Sequence, residues 1–369
     1  IDFAIRESVD GVVIAGDLFD GCQIPFHGEA GVLNMIEKLE ESGIHLFYTT
    51  GNHDPYQQNG FFEALGRYPH VHLFHSRLPE VVKVTTRTGE NFAVVSAGHD
   101  GPAVKENVIK HFPPKETGMV FVGIGHTMVA SVAGSVDHAN YMPCSLEDLK
   151  SKNYDYFALG HIHKAMALDD EGRIRYAGNI QGRHINETGE KGGWLIEIDE
   201  KRFKSEFVPF HDVVWHQMTV ELTAQEETMY DLSRKLKESL LEDMSGSSGQ
   251  KIYRIHLTGE TPLYQRLQSE ENIEELEESL QSIDGILEAR VKTGNLQPVV
   301  DREELKQGEH FLGAFLTAYD QNRLPLEATL SAADFISDKA VKDRKTFIDD
   351  TLDQLDDMLI RRMKKQVQK

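Results

Sequence analysis

The sequence predicts an α/β fold of strands and crossover helices, extended by a smaller α+β unit and a charged helical C-terminal stretch. Three observations predict it. Four apolar, strand-like runs each end in a glycine: VVIAG before Asp17, HLFYTTG before Asn52-His53, FVGIG before His126, and YFALG before His161-Ile162-His163. Between the first two lies an amphipathic stretch, residues 29–42, with Val32, Leu33, Ile36 and Leu39 on one face and Gly43 as its stop, the pattern of a βαβ crossover. Beyond residue 211 shorter strand-like and helix-like segments alternate, and after Asn295 the chain turns helical and strongly charged.

The elements follow in order. DFAIRESV at the start reads as an amphipathic helix, and the strand that delivers Asp17 comes next. After helix 29–42, strand 44–50 carries Gly51-Asn52-His53-Asp54 at its end. Segments 71–75, 81–87 and 91–98 read as strands, the last two joined by the turn Thr88-Gly89-Glu90. A helix near 103–111 and Pro113-Pro114 lead to strand 119–124. Ser145 with Asp148 three residues on marks a helix start, and strand 155–159 follows it. Strands 173–177, 193–199 and 203–208 are expected to finish a second, largely antiparallel sheet. VVWHQMTVEL, a helix at 225–243, a flexible Ser245–Gly249, strand 251–258, an acidic helix at 264–281 and strand 285–292 make the α+β unit. The final KDRKTFIDDTLDQLDDMLIRRMKKQ carries Phe347, Leu352, Leu355 and Leu359 as an apolar stripe.

At 369 residues the chain exceeds what one core usually organises, and the pattern divides it into 1–210, 211–295 and 296–369. The two cysteines, Cys22 and Cys144, exclude a disulfide framework and fit a reducing, cytoplasmic compartment. No apolar stretch approaches membrane-spanning length. A net charge of −21 runs against a protein that grips nucleic acid through a broad basic face, so contact with phosphates is expected to be local. Arg183, Lys191, Arg173, Arg175 and His184 are the candidates, each weighed against a solvated or loop-structuring role.

Glycine lets the backbone turn tightly at strand ends, where ligands of open α/β sheets gather, so Asp17, Asn52, His126, His161 and His163 are expected to converge. An Asp carboxylate can bridge two ions, Asn offers a carbonyl oxygen and His a neutral imidazole nitrogen. Mixed N/O ligands without thiolate argue against structural zinc and for a catalytic manganese, iron or zinc. Asp20 lies about a turn beyond Asp17 and reads as a capping or orienting group. His70, His72 and His75 alternate in a strand-like stretch and read as strand-face histidines.

Gly16-Asp17-Leu18-Phe19-Asp20, Gly51-Asn52-His53-Asp54 and Gly160-His161-Ile162-His163, in that order and with His126 between the last two, resemble the signature motifs of the calcineurin-like metallophosphoesterases. YMPCSLEDLKSKNYDYFALGHIHKA (141–165) and YAGNIQGRHINETGEKGGWLIEID (176–199) narrow the resemblance to the SbcD-like DNA-repair exonucleases, most closely the YhaO-type branch. The likeness covers residues 1–210 and is looser beyond. It implies two sheets flanked by helices, two divalent ions with manganese as first choice, and phosphodiester hydrolysis. By the same resemblance Asp17 bridges the ions, Asn52, His126 and His161 complete one shell, and His163 joins the other. His53 is left to protonate the leaving oxygen or position phosphate, Asp54 could hold its ring or only shape the turn, and Arg183 and His184 contact substrate. The family's Asp-x-His motif is not in this sequence, and the resemblance implies that it lies upstream of Ile1. The family further implies a capping domain at 211–295, DNA as substrate, and a C-terminal helix docked on an SbcC-like coiled-coil ATPase, with homodimerisation as another option. A phosphodiesterase acting on a small nucleotide or another phosphoester is the alternative that the acidity favours, and a non-catalytic scaffold a third should the chain truly start at Ile1.

Overall fold

The structure is a computed structural model that describes residues 1–21, 24–56, 60–131, 141–199, 202–244, 249–299, 313–314 and 316–322. Its first elements are α1 (Asp2–Arg6), β1 (Gly11–Ala15), α2 (Phe26–Glu41), β2 (His45–Thr49), α3 (Phe61–Leu65) and β3 (Val71–Phe74). Among the described residues β1, β2 and β3 form one parallel sheet, with Gly11 opposite His45 and Leu46 opposite Val71. The expected βαβ crossover is therefore present, since a parallel pair requires a connection of this length.

The second sheet contains β4 (Glu80–Thr85), β5 (Asn91–Ala97), β6 (Val120–His126), β7 (Tyr156–Gly160), β8 (Met166–Ala167) and β9 (Ile174–Tyr176), in the order β4-β5-β6-β7-β9-β8. Its central strands β5, β6, β7 and β9 run parallel, and only β4 and β8 at the edges are antiparallel. This corrects the expectation of a largely antiparallel sheet. The connections between β5, β6, β7 and β9 are long enough to return the chain to the same end, whereas β10 (Gly192–Ile198) and β11 (Phe203–Pro209) are joined by a short turn and pair with each other as a separate antiparallel ribbon. The helix expected near 103–111 is only a 3-10 turn, Val108–His111. Pro113 disfavours helical backbone at Phe112, and the short span cannot offset the cost of helix nucleation. The start at Ser145 is as expected: its hydroxyl accepts from the Asp148 N–H while the Asp148 carboxylate accepts from the Ser145 N–H, opening α4 (Leu146–Lys150).

The period-two alternation of the strands sorts the side chains into layers. On β2, Leu46 and Tyr48 pack with Ile36, Leu39, Phe62 and Leu65 of the helical layer, while Phe47 between them faces Phe74, Val84, Val94 and Ile124 in the seam between the sheets. On the second sheet Ala93, Val95, Phe121, Phe157 and Leu159 turn to the outer core with Val108, Ile109 and Leu149. At one end of the seam the packing becomes polar: Thr49 hydrogen-bonds Ser96, the Ser96 hydroxyl donates to the Ile124 carbonyl at 3.1 Å, and the Thr50 hydroxyl donates to the His99 carbonyl at 2.9 Å. All three hydroxyl side chains are fully buried.

Further along come β12 (Val213–Leu222), α5 (Met229–Met244), β13 (Gln250–Thr261), α6 (Glu270–Gln281) and β14 (Ile286–Pro298), with the strands in a sheet of order β12-β13-β14. Chain contacts group Ile1–Val220, Ser233–Leu257 and Glu271–Gly294 as one compact unit and Glu221–Leu232, Thr258–Glu270 and Asn295–Lys369 as another. Residues 313–314 and 316–322 are helical. The apolar stripe at Phe347–Leu359 lies outside the described residues.

Candidate metal centre

The four glycine-terminated strands deliver their polar residues to one end of the two sheets. Ala15 is opposite Thr49 on the first sheet and His126 is opposite Gly160 on the second, so Asp17, Asn52, His126 and His161 emerge from neighbouring strand ends. The glycines are sterically required there. A Cβ on Gly51 would lie 2.1 Å from Asp17 Oδ1, and one on Gly160 1.8 Å from the Ala15 carbonyl oxygen. Asp17 and His161 themselves occupy left-handed backbone, at φ 52° and 95°, a conformation costly for side-chain-bearing residues and concentrated at functional sites.

Asn52 Oδ1 is 2.9 Å from His126 Nε2 and 3.2 Å from His161 Nδ1, and Asp17 Oδ2 is 3.1 Å from His126 Nε2. One ligand atom from each of Asp17, His126 and His161 can be chosen such that all lie within 4.8 Å of one another. Two ligands on opposite sides of one ion at about 2.1 Å are some 4.2 Å apart, so small side-chain shifts suffice to place them in a single shell. The residues thus fit a divalent cation. His126 is fully buried and donates from Nδ1 to the Ala15 carbonyl at 2.8 Å, which aims Nε2 at Asp17 and Asn52. Burial alone would lower its basicity, but the Asp17 carboxylate raises it. Burial likewise pushes Asp17 up, and the charge and hydrogen bond of His126 with the His53 N–H outweigh it, leaving Asp17 at about 2.

Of the two roles the sequence left open for Asp54, holding the His53 ring or shaping the turn, the structure shows the second. Its fully buried carboxylate accepts from the backbone N–H groups of Asp17 (3.1 Å), Leu18 (2.8 Å) and Gly51 (2.7 Å) and from the Tyr48 hydroxyl, so it pins the Asp17 turn to the Asn52 turn. Burial raises its pKa. The His53 ring instead meets Asp20, whose Oδ1 is 3.0 Å from Nδ1. His53 remains half exposed, and its N–H donates to Asp17 Oδ1 at 2.8 Å.

His163 stands beside the group formed by Asp17, His126 and His161. Its Nδ1 is 2.6 Å from Glu187 Oε1, and that carboxylate also accepts from the Arg183 N–H and the Asn179 amide, both at 2.8 Å. Burial pushes Glu187 up, but these donors hold it at about 2. A carboxylate on Nδ1 leaves Nε2 of His163 as the ligating nitrogen. Arg183 reaches Asp20 at 2.8 Å and His163 at 3.2 Å, while His184 turns back on its own loop, accepting from the Asn186 N–H at 3.2 Å. That loop is strapped to β12: Trp215 Nε1 donates to the Gly182 carbonyl at 3.0 Å and the Gln217 amide to Ile185 at 2.9 Å. Arg173 and Arg175 are engaged elsewhere, over Phe203 and Trp194, and Lys191 is buried. Asp20 closes the first motif and, as the expected orienting group, meets His53, whereas Glu187 and Tyr48 under Asp54 belong to no short motif; only the glycine-rich stretch around Glu187 marks its neighbourhood.

Residues 1–165 match the family model described as calcineurin-like phosphoesterase. The uncharacterized metallophosphoesterase YhaO of Bacillus subtilis is 34% identical over 225 residues, covering 60% of this chain and 54% of that protein. The SbcD component of the nuclease SbcCD from Escherichia coli K12 is 21% identical over 221 residues (52% and 55% of the two chains), and the DNA double-strand break repair protein Mre11 of Sulfurisphaera tokodaii is 28% identical over 212 residues (54% and 51%). The chain spans about half the length of these relatives. The strand-end cluster of Asp17, His126 and His161 lies within residues 1–165, the stretch that resembles a calcineurin-like phosphoesterase.

Proposed function

We propose that this protein is a metal-dependent phosphodiesterase whose substrate is DNA, a nuclease that works with an SbcC-like ATPase in the cytoplasm. The observation that carries the chemistry is the convergence of Asp17, Asn52, His126 and His161 beside a half-exposed His53. Asp17, Asn52, His126 and His161 would hold one divalent ion, with manganese as first choice, and Asp17 with His163 would contribute to a second. Such ions, when bound, supply Lewis-acid activation of a nucleophilic water and neutralise charge on the phosphoryl oxygens. The protein's own contribution is positional. Asp54 fixes the spacing of the two ligand-bearing turns, and Gly51 and Gly160 let the strand ends approach. Asp20 accepts from Nδ1 of His53, which leaves Nε2 to carry a proton to the leaving oxygen. Arg183, tied to Asp20, sets a positive charge beside that proton donor for the phosphate.

DNA as substrate and the ATPase as partner are inferred from what the names of the SbcCD nuclease and Mre11 say of those proteins. Segment 211–295 would cap the catalytic domain and 296–369 would carry the partner contact. The net charge of −21 favours a second reading, a small phosphoester as substrate. Turnover of bis-p-nitrophenyl phosphate and of linear duplex DNA with Mn²⁺ tests both. The nuclease reading expects both substrates to be cut by the wild type and neither by Asp17→Asn. Cleavage of the small ester alone, also with the ATPase partner added, would select the second reading, and turnover unchanged by chelator and by Asp17→Asn would overturn both.

A further inference from the structure

We propose that His45, His70 and His72 form a second cation site, for a borderline transition metal such as Zn²⁺, at the end of the three-stranded sheet opposite Asp17. It is independent of the catalytic reading. His45 opens β2, His70 immediately precedes β3 and His72 lies within it, so the parallel register brings the three to the amino-terminal edge of neighbouring strands. Asp17 and Asn52 follow the carboxyl ends, roughly 20 Å away at about 3.3 Å per residue.

His45 Nδ1 and His72 Nε2 are 3.0 Å apart, one ring's N–H donating to the other's lone pair. Two imidazoles on one tetrahedral ion at about 2.0–2.1 Å have their nitrogens about 3.3 Å apart, so a cation can take the place of the shared proton with a shift of a few tenths of an ångström. His70 brings the third ring, 4.8 Å from His45 between centroids. Its backbone N–H and its Nδ1 are both 2.7 Å from the Glu40 carboxylate. A carboxylate that accepts from Nδ1–H selects the tautomer that presents the Nε2 lone pair to a cation and orients the ring, the arrangement that accompanies metal-bound histidines. A turn of this ring toward the other two completes a three-nitrogen face backed by an acid. Imidazole sets without thiolate suit zinc, copper and nickel rather than magnesium or calcium.

The environment favours the ligand form. Burial and the adjacent His45 hold His72 down at about 4, and burial with His70 lowers His45. The acids facing them, Glu40 at the end of α2 and Asp10 before β1, add the negative charge that a dication needs. Phe47 stacks on both rings, at 6.0 Å from His45 and 5.0 Å from His72 between centroids, and fixes their planes. The three imidazoles lie at the opposite end of the strands from the residues proposed for phosphoester chemistry. A cation there would tie the last turn of α2, β2 and β3 together.

The test counts zinc. Titration of the full chain with Zn²⁺ is expected to give one more bound equivalent in the wild type than in His45→Gln/His72→Gln, with the strand-end site unaffected. An unchanged count would overturn the proposal. Should the double variant fail to fold, carbethoxylation of the wild type mapped by mass spectrometry decides the same question: Zn²⁺ should protect His45, His70 and His72, reversibly on chelation, and equal modification with and without zinc would refute the site. Glu40→Gln is expected to weaken the extra equivalent by about 10–100-fold, as loss of an outer-shell carboxylate does. Wild-type affinity in that variant would remove His70 from the ligand set.

Discussion

Replacing Gly160 by alanine perturbs the metal centre without touching a ligand. The added Cβ would lie 1.8 Å from the Ala15 carbonyl oxygen, whereas ordinary contact begins at 3.4 Å, so β7 and β1 would have to part by roughly 1.6 Å. Both sides of the clash are backbone, and no rotamer relieves it. The same carbonyl accepts the Nδ1 proton of His126 at 2.8 Å, so the separation breaks the bond that aims Nε2 into the site. Overpacking of this kind costs about 1–3 kcal/mol and more where the backbone is rigid, and we expect the upper end of that range, about 3 kcal/mol. Gly31→Ala is the matched control. Gly31 lies inside α2 with nothing within 4 Å of an added Cβ, and the same methyl should there stabilise by about 0.5–1 kcal/mol. Urea denaturation reads the stabilities and calorimetric titration with Mn²⁺ reads the site. Gly160→Ala should lose at least tenfold in metal affinity, about 1.4 kcal/mol. A Gly160→Ala protein with the wild-type midpoint and wild-type Mn²⁺ affinity would refute the role given to this close approach.

His53→Ala should keep its metal while turnover of a phosphodiester falls by about 10²–10⁴-fold; co-measured metal loss would make His53 a ligand instead. Asp20→Asn should lower turnover less than His53→Ala, because the ring stays and loses only its carboxylate partner; wild-type turnover in Asp20→Asn would count against that pairing. Burial pushes the Cys144 thiol up to about 11, so at pH 8 its peptide should be alkylated by iodoacetamide about 100-fold more slowly than a thiol of pKa 9; since the folded-state value is the raised one, its contribution to stability is present below about pH 9 and is lost as the pH rises through 11. Asp54→Ala should cost roughly 3–5 kcal/mol, the upper range for breaking a buried polar network, because five donors, the Phe19 N–H among them, lose their acceptor at once; a loss below 1 kcal/mol in urea denaturation would show that water replaces it.

Much of this was legible in the sequence because the chemistry sits on strands whose ends are punctuated by glycine. β1, β2, β6 and β7 could each be read from an apolar run, and the residue after each glycine proved to lie at one common end of the sheets. The direction of β9 could not be read, since parallel or antiparallel pairing is decided by where the GHIH loop returns the chain and not by the composition of Ile174–Tyr176. The sequence leaves Asp54 between holding the His53 ring and shaping the turn, and Asp20 as a capping or orienting group without a named partner, because it shows only neighbours along the chain. In three dimensions the Asn52 turn buries Asp54 over Tyr48 and brings Asp20, 33 positions away, to the imidazole. Glu187 was invisible for the same reason: it is 24 positions from His163 and meets it only because Trp215 and Gln217 strap its loop in place.

The buried hydroxyls in the seam act as a spacer gauge for the metal centre. Asp17 and Asn52 hang from one sheet, His126 and His161 from the other, so the width of the site is the distance between two sheets. Sliding one sheet past the other by a single residue, about 3.3 Å, would strand Thr49, Ser96 and Thr50 in an apolar layer, at about 1–3 kcal/mol for each orphaned group. The gap is therefore set by the protein and not drawn shut by the ion. Metal can leave and return with the frame unchanged, and ions that demand a different spacing must pay for it in their own coordination geometry.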